Sequence, residues 1–461
     1  MIFKENKTTY NFILLSIIVF CFPQPRTVLA STEPIINVLI LKDKQIRIRS
    51  DRFIPLTIKS QRFSNKKIKG LTLRKQNNGT TLNFDKNKQK IYFLKNEEKF
   101  VVRSSDRRGI WVGQKRYAGK LNLFIRKNDI LVVNVLGIEK YLGSVVGSEM
   151  PAKWPLEALK AQAIASRTYA LKQKGNPLYD IDSTNMNQVY IGLEAGTHKT
   201  KRAVNSTRSL VLTYENKLIN ALFHSSSAGM TENSQDVWKN KYPYLSSVKD
   251  FDKNNPKLRW NQKFSKSQLQ KLFPRIGGIN KIEILNVTST GRVKNVRIHG
   301  DFGTDQISGV DIRKKMNLKS TLVRFKFIED NEFKSLNDTP KLLSTNGLEN
   351  EPLTHIVRVG DTLIVIADQY DVSVEEIVAL NNIKDSSIIK IGQRLLVPRN
   401  PLNSSSSPAK ILVVSGFGSG HGVGMSQWGA KHMANQGAKA KTILKHFYKG
   451  VEIKPFKKYF L

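Results

Sequence analysis

The chain has 461 residues, with 75 Lys and Arg against 37 Asp and Glu, a formal net charge of +38. That length holds two or three domains with cores of their own, and 40% hydrophobic with 9% aromatic residues excludes a wholly disordered polymer. The charge suits an anionic polymer, whether wall, membrane surface or nucleic acid. The basic residues are spread along the chain, however, without zinc-finger spacing, an RNP-like strand or a basic zipper, so no specific nucleic-acid recognition is expected.

Lys4 and Lys7 precede an apolar run from Phe12 to Phe22, and Val28-Leu29-Ala30 follows as a small-residue cleavage site. Residues 1–30 therefore read as a signal peptide, which places the mature protein outside the cytoplasmic membrane, in the periplasm or cell wall. An uncleaved segment, anchoring the chain to the membrane, is the alternative, although about eleven apolar residues fall short of the roughly twenty a spanning helix needs. The single cysteine, Cys21, lies in this segment behind a bulky Phe20, a poor context for lipid attachment. Without it the mature chain has no disulfide and no thiol chemistry.

Residues 31–99 alternate apolar and polar side chains, as in Gln45–Arg49, Leu71–Arg74, Thr80–Phe84 and Lys90–Leu94, and are expected to form a β-rich entry region. Two more strands, ending at Arg126 and Leu136, flank a turn at Lys127-Asn128-Asp129. The second leads through 138–147 into Ser148-Glu149-Met150-Pro151. Pro155 then suits a first helical turn, and Leu156, Leu159, Ala163, Arg167 and Ala170 recur at helical spacing. With so many alanines, this helix is expected to be buried and central. Residues 198–211 read as a helix leading to the strand Ser209–Tyr214, with Leu218–Phe223 as its hairpin partner and His224 directly after. Residues 265–330 read as α+β, with a strand at Val293–Ile298, a short helix at Ser308–Met316 and a strand at Thr321–Phe327.

Residues 331–353 are rich in Asn, Ser, Thr and Glu and read as a linker, as do residues 399–408 with four consecutive serines. Between them, residues 354–398 show a strand, two short helices and a closing strand. This stretch resembles a LysM domain, with Asn381-Asn382 in the asparagine-containing turn. The resemblance implies binding to glycans that contain N-acetylglucosamine units, such as peptidoglycan.

Three stretches carry a second resemblance. The run Ser148 to Leu171, the run Phe223-His224-Ser225-Ser226-Ser227-Ala228-Gly229-Met230-Thr231-Glu232, and Gly420-His421-Gly422-Val423-Gly424-Met425-Ser426-Gln427-Trp428-Gly429-Ala430 together are similar to the SpoIID/LytB family of cell-wall proteins. The match covers roughly residues 100–330 and 410–450. It implies an α+β fold: a discontinuous catalytic domain (100–330 and 409–461) with a central helix and a β-rich N-terminal region, the βααβ LysM module being inserted in a hairpin between the strands ending at Phe327 and beginning at Ile411. It also implies lytic transglycosylase activity on peptidoglycan, cleaving between N-acetylmuramic acid and N-acetylglucosamine, with Glu149 as the catalytic acid. The family's name suggests sporulation; the residues say nothing about it, nor about protein partners.

The residues leave alternatives beside these readings. A single carboxyl suffices when the sugar's own hydroxyl attacks, protonating the leaving oxygen and then taking the hydroxyl proton, whereas an ordinary glycosidase needs two. Glu149, in a proline-bounded loop, fits that role if Met150, Trp154 and the sheet desolvate it; otherwise it is an acid capping the next helix, whose field would lower its pKa. His224 with Ser225 and Ser226 shows no acidic third member of a triad, so sugar hydrogen bonding is the functional reading and a strand-end structural bond the plain one. The glycines at 416–424 lack the Lys-Ser/Thr ending of a phosphate loop and instead present His421 and Gln427 to a cleft, or simply turn into a helix from Ser426 to Ala434. Gln188 joins the expected substrate-binding set. Some relatives hold a metal near this point; here Met186 and Asn187 offer no thiolate or imidazole, so no metal and no cofactor is expected. The rival to an enzyme is a non-catalytic peptidoglycan-binding protein or activator of a wall hydrolase, with the LysM module adding avidity.

Overall fold

The computed structural model describes residues 33–457 apart from 52–53, 78, 86, 174–176, 185–186, 239, 330–351, 358–360, 371, 384–388 and 399–409. The expected signal peptide with Cys21, the position Met186, and nearly all of both expected linkers lie outside the described residues.

The largest core is built on a seven-stranded sheet. The strand Ile130–Gly137 is buried along almost its whole length, as its unbroken apolar run requires when both faces are covered. It pairs with Lys120–Ile125 across the expected turn and, on its other side, with Ile35–Asp43 from Ile35↔Gly137 to Asp43↔Ile130. This sheet crosses the expected boundary at residue 99, because strands from either side of that point hydrogen-bond to one another.

Helix α1 (Ile138–Glu149) follows that strand directly, so Glu149 is the last residue of a helix and not part of a free loop. Helix α2 (Leu156–Lys172) begins after Pro155 and buries every residue from Ala161 to Leu171. Ala158, Ala161, Ala163, Ala165 and Ala170 have no exposed surface, and their small side chains admit α1, the helix α3 (His198–Ser206) and the strand Leu210–Tyr214 to close range. The hairpin expected after that strand is shorter than anticipated. Only Lys217–Leu218 pairs back, while the other edge takes Glu452–Pro455 from the C-terminal end.

After a single turn of helix, α4 (Ser234–Val237), a second core forms around Trp260, Phe264, Val296, Ile298, Leu412 and Val414. It contains α5 (Lys266–Leu272) and α6 (Gly309–Lys315), the latter capped by the Ser308 side chain. The strand Lys410–Phe417 lies between Arg259–Phe264 and Val323–Glu329, pairing with the latter from Val323↔Gly416 to Glu329↔Lys410. Residues 330–409 therefore leave and return at neighbouring strand ends.

Within that stretch a third, small core gathers Val357, Leu363, Ile366, Ile377, Leu395 and Val397. Its order is strand Leu353–Ile356, helices Leu363–Tyr370 and Val374–Leu380, and strand Arg394–Val397. Asn381 closes it: its side chain donates to the Ile377 and Leu396 carbonyls and accepts the Leu396 N–H, doing for two elements what a backbone pair would do. Among the described residues no helix is long and apolar enough to cross a membrane.

Candidate functional site

The three stretches singled out in the sequence meet in one groove of about 610 Å³. The strand Phe223–His224 runs parallel to Met425–Ser426, pairing His224 with Ser426, and Ser426 caps the helix Gln427–Asn435 through the Gly429 N–H. That cap sets Gln427 at the start of the helix, facing the end of α1. Glu149 receives two hydrogen bonds there: Oε1 accepts the Val189 N–H at 2.9 Å and Oε2 accepts the Gln427 side-chain amide at 3.2 Å. The glycines make the approach possible. Gly420 (φ +107°) and Gly424 (φ +74°) sit in the left-handed region, and a Cβ would fall 2.6 Å from the His224 side chain at the first and 2.1 Å from the Leu222 carbonyl at the second.

Burial pushes the Glu149 carboxyl above its ordinary pKa, and the two donors only partly oppose this. Met150 and Trp154 are themselves buried in the first core. Two further facts bear on the helix-cap alternative. The N-terminus of α2 has no side-chain cap, and Glu149 bonds elsewhere. Glu149 also stands in the last turn of α1, where exposed carbonyls make the potential negative and favour the protonated acid.

The histidines are held neutral. His224 is buried and donates Nδ1–H to the Val423 carbonyl at 3.1 Å, leaving Nε2 bare and without a partner among the described residues. Burial, then the neighbouring His421 and Arg292, drive its pKa well down. His421 accepts the Val423 N–H on Nδ1, and burial with the charge of Arg313 lowers its pKa to about 3. The two rings lie 5.6 Å apart, and Trp238 packs against His421 at 5.1 Å. Neither imidazole is tuned to exchange protons near neutrality.

Of the expected substrate-binding set, Ser225, His224, His421 and Gln427 line the groove with Glu149. Two others do not. Ser226 is buried and turns its hydroxyl to Asp252, which also accepts the Ala228 and Gly229 N–H groups; Ser227 likewise donates to Asp250. These carboxylates fix the 225–229 loop, and no serine-histidine pair forms in it. Gln188 is fully buried behind the groove, accepting from the Tyr141 hydroxyl and donating to the Ser166 carbonyl, so it supports the wall that carries Val189. Asn187 donates to Asp182 and accepts from the Tyr169 hydroxyl. Among the described residues no cluster of three or more His, Cys, Asp or Glu is placed to hold a metal ion.

Sequence reasoning missed Tyr169, Asn220, Trp238, Tyr242 and Arg313, all of which line the groove. Tyr169 lies on the already recognised helix and was open to inference; the others come from loops and a short helix whose placement no local pattern encodes.

This is an α+β protein whose groove holds one carboxyl of raised pKa between two cores, with a small βααβ module set between neighbouring strands. Residues 126–214 match the family model described as Stage II sporulation protein, and residues 355–398 match the LysM domain. The chain is 30% identical over 345 residues to "Stage II sporulation protein D" of Bacillus amyloliquefaciens, covering 70% of this chain and 75% of that protein. It is 30% identical over 342 residues to the protein of that name in Bacillus subtilis (strain 168), covering 70% and 75%. It is also 30% identical over 318 residues to the "Amidase enhancer" of Bacillus subtilis (strain 168), covering 68% of this chain but 40% of that protein. The chain belongs to the stage II sporulation protein D family and carries a LysM domain.

Proposed function

We propose that this chain is an exported, wall-associated lytic transglycosylase that cuts peptidoglycan strands between N-acetylmuramic acid and N-acetylglucosamine, with Glu149 as both acid and base. The observation that carries this reading is the state of Glu149: partly desolvated, held by two neutral donors, and the one carboxyl among the described residues that line the groove. A carboxyl that keeps its proton gives it to the bridging oxygen as the bond to the anomeric carbon breaks. The resulting carboxylate then takes the proton from the muramic acid 6-hydroxyl as that oxygen bonds to the anomeric carbon, closing a 1,6-anhydro ring. Glu149 is returned to its starting form and no water is consumed. The LysM domain, read as a ligand for N-acetylglucosamine units, and the +38 charge would keep the chain on the wall, the charge contribution weakening with salt. The module, flanked by residues 331–353 and 399–408, is taken as an insertion into the discontinuous catalytic domain.

A second reading, a non-catalytic glycan binder that assists a wall hydrolase, draws support from the likeness to a protein named amidase enhancer. Product analysis separates the two. Purified glycan strands incubated with the protein should acquire 1,6-anhydromuramyl ends, detected by mass spectrometry, and Glu149→Gln should yield none. Glycan binding without new ends in either protein would favour the second reading.

A further inference from the structure

Glu149 and Arg313 are the two formally charged residues that line the groove among the described ones. They come from opposite sides: Glu149 ends α1 in the first core, whereas Arg313 stands on α6, whose Ile312 belongs to the second. Since the acid is biased towards its neutral form and both histidines are neutral, the guanidinium is the fixed charge of the site.

Arg313 is poorly compensated. It is half-buried, and its Nε donates to the Leu318 carbonyl at 3.2 Å, tying down the turn after α6. Among the described residues its two Nη groups make no hydrogen bond and no ion pair, and no neighbouring acid offsets its desolvation, which lowers its pKa. Contrast the fully buried Arg167, which Glu139 grips with both oxygens. A partly desolvated guanidinium with a free two-pronged face is costly unless an anion completes it, and the planar fork matches a carboxylate best.

We propose that Arg313 is a specificity-determining residue, binding a carboxylate of the glycan strand through its Nη groups and so placing the strand relative to Glu149. This rests on the reading of the groove as a peptidoglycan site. Such strands carry carboxylates from two sources, the lactyl group of muramic acid where it is free and the stem peptide where one is attached.

The test uses full-length Glu149→Gln, which holds ligand without cutting it, followed by tryptophan fluorescence. Trp238 lines the groove and residues 354–398 contain no tryptophan, so the LysM domain is silent. The probes are length-matched oligomers: alternating N-acetylglucosamine and muramic acid with free lactyl groups, the same with stem peptides, the free form methyl-esterified, and chitin oligomers lacking carboxylates. Adding Arg313→Gln should weaken one or both carboxylate-bearing probes about tenfold or more and leave ester and chitin probes unchanged, and which probe suffers names the source. Arg313→Lys should recover part of the loss. Esterification alone should weaken binding with Arg313 in place, a comparison that needs no second variant to fold. Equal loss on all probes, or none on the carboxylate-bearing ones, would overturn the assignment. Were no muramic acid oligomer to perturb the fluorescence even with Arg313 present, the groove reading itself would fail.

Discussion

The two ends of α1 each carry a glutamate shielded from water, and their surroundings differ in sign. Glu139, in the first turn, accepts from Arg167 at 2.9 and 2.6 Å and from the Ser209 N–H at 3.1 Å. Arg167 spends its remaining donors on the Leu210 and Val204 carbonyls, so charge and hydrogen bonds close on themselves. Glu149, in the last turn, meets one backbone N–H and one amide, both neutral, at the end of the helix where its field opposes a negative charge. Shelter from water is common to both. A cationic partner makes the first a structural clamp, and without one burial pushes the pKa of the second upwards.

The largest expected effect sits at the reactive end. Glu149→Gln should lower glycan cleavage by about 10²–10⁴-fold while binding persists, measured as anhydromuramyl ends per enzyme per minute against retention on insoluble wall. At the other end, Arg167→Met leaves Glu139 buried and unpaired and should cost about 3–5 kcal/mol of unfolding free energy by urea titration. If Arg167→Met instead stopped cleavage at full stability, Glu139 would belong to the chemistry and the contrast between the two ends would dissolve.

Smaller effects sharpen it. Gln427→Leu removes a donor that favours the ionised carboxyl, so the alkaline limb of the pH–rate profile should move to higher pH. An unmoved limb would mean that another group titrates there. Glu149 should also weigh on stability. Its folded pKa lies above its unfolded one, so the penalty for ionising it in the fold is absent at low pH and sets in as pH rises through the unfolded value towards the folded one. Glu149→Gln should therefore melt higher than the parent near pH 7, by a margin that vanishes at about pH 3, as scanning calorimetry would record.

Much of this was legible from residue patterns. The apolar run of 130–136, the proline at 155 and the alanines of α2 announce a strand and, further on, a buried helix, and both formed where expected. The three motifs pointed to the groove through their resemblance to a known family, and the glycines at 420 and 424 followed by Ser426 read as a turn into a helix. What failed did so where a residue's neighbour lies far along the chain. Ser226 and Gln188 belong to the right stretches, but a hydroxyl two residues after His224 is claimed by Asp252, and an amide next to Val189 is claimed by Tyr141 and Ser166. Position 149 was read as loop because proline follows at 151, whereas the helix before it runs to the glutamate itself. The strand ending at Tyr214 also takes Glu452–Pro455, more than two hundred residues on, along the edge opposite its short hairpin partner, a pairing that no local pattern announces.

By itself, then, the sequence determined the strands and helices that helical period, alternation and turn residues spell out, and, through the resemblance of its motifs to known families, the class of fold, the family, the LysM module and the acid on which the chemistry is proposed to turn. Tertiary structure alone decided which way that acid's pKa is pushed, which of its candidate companions face the groove, and that a guanidinium from the second core stands there without an acidic partner among the described residues. Those are matters of desolvation and of distance between residues remote in the chain, and both arise only when separate cores close upon one another.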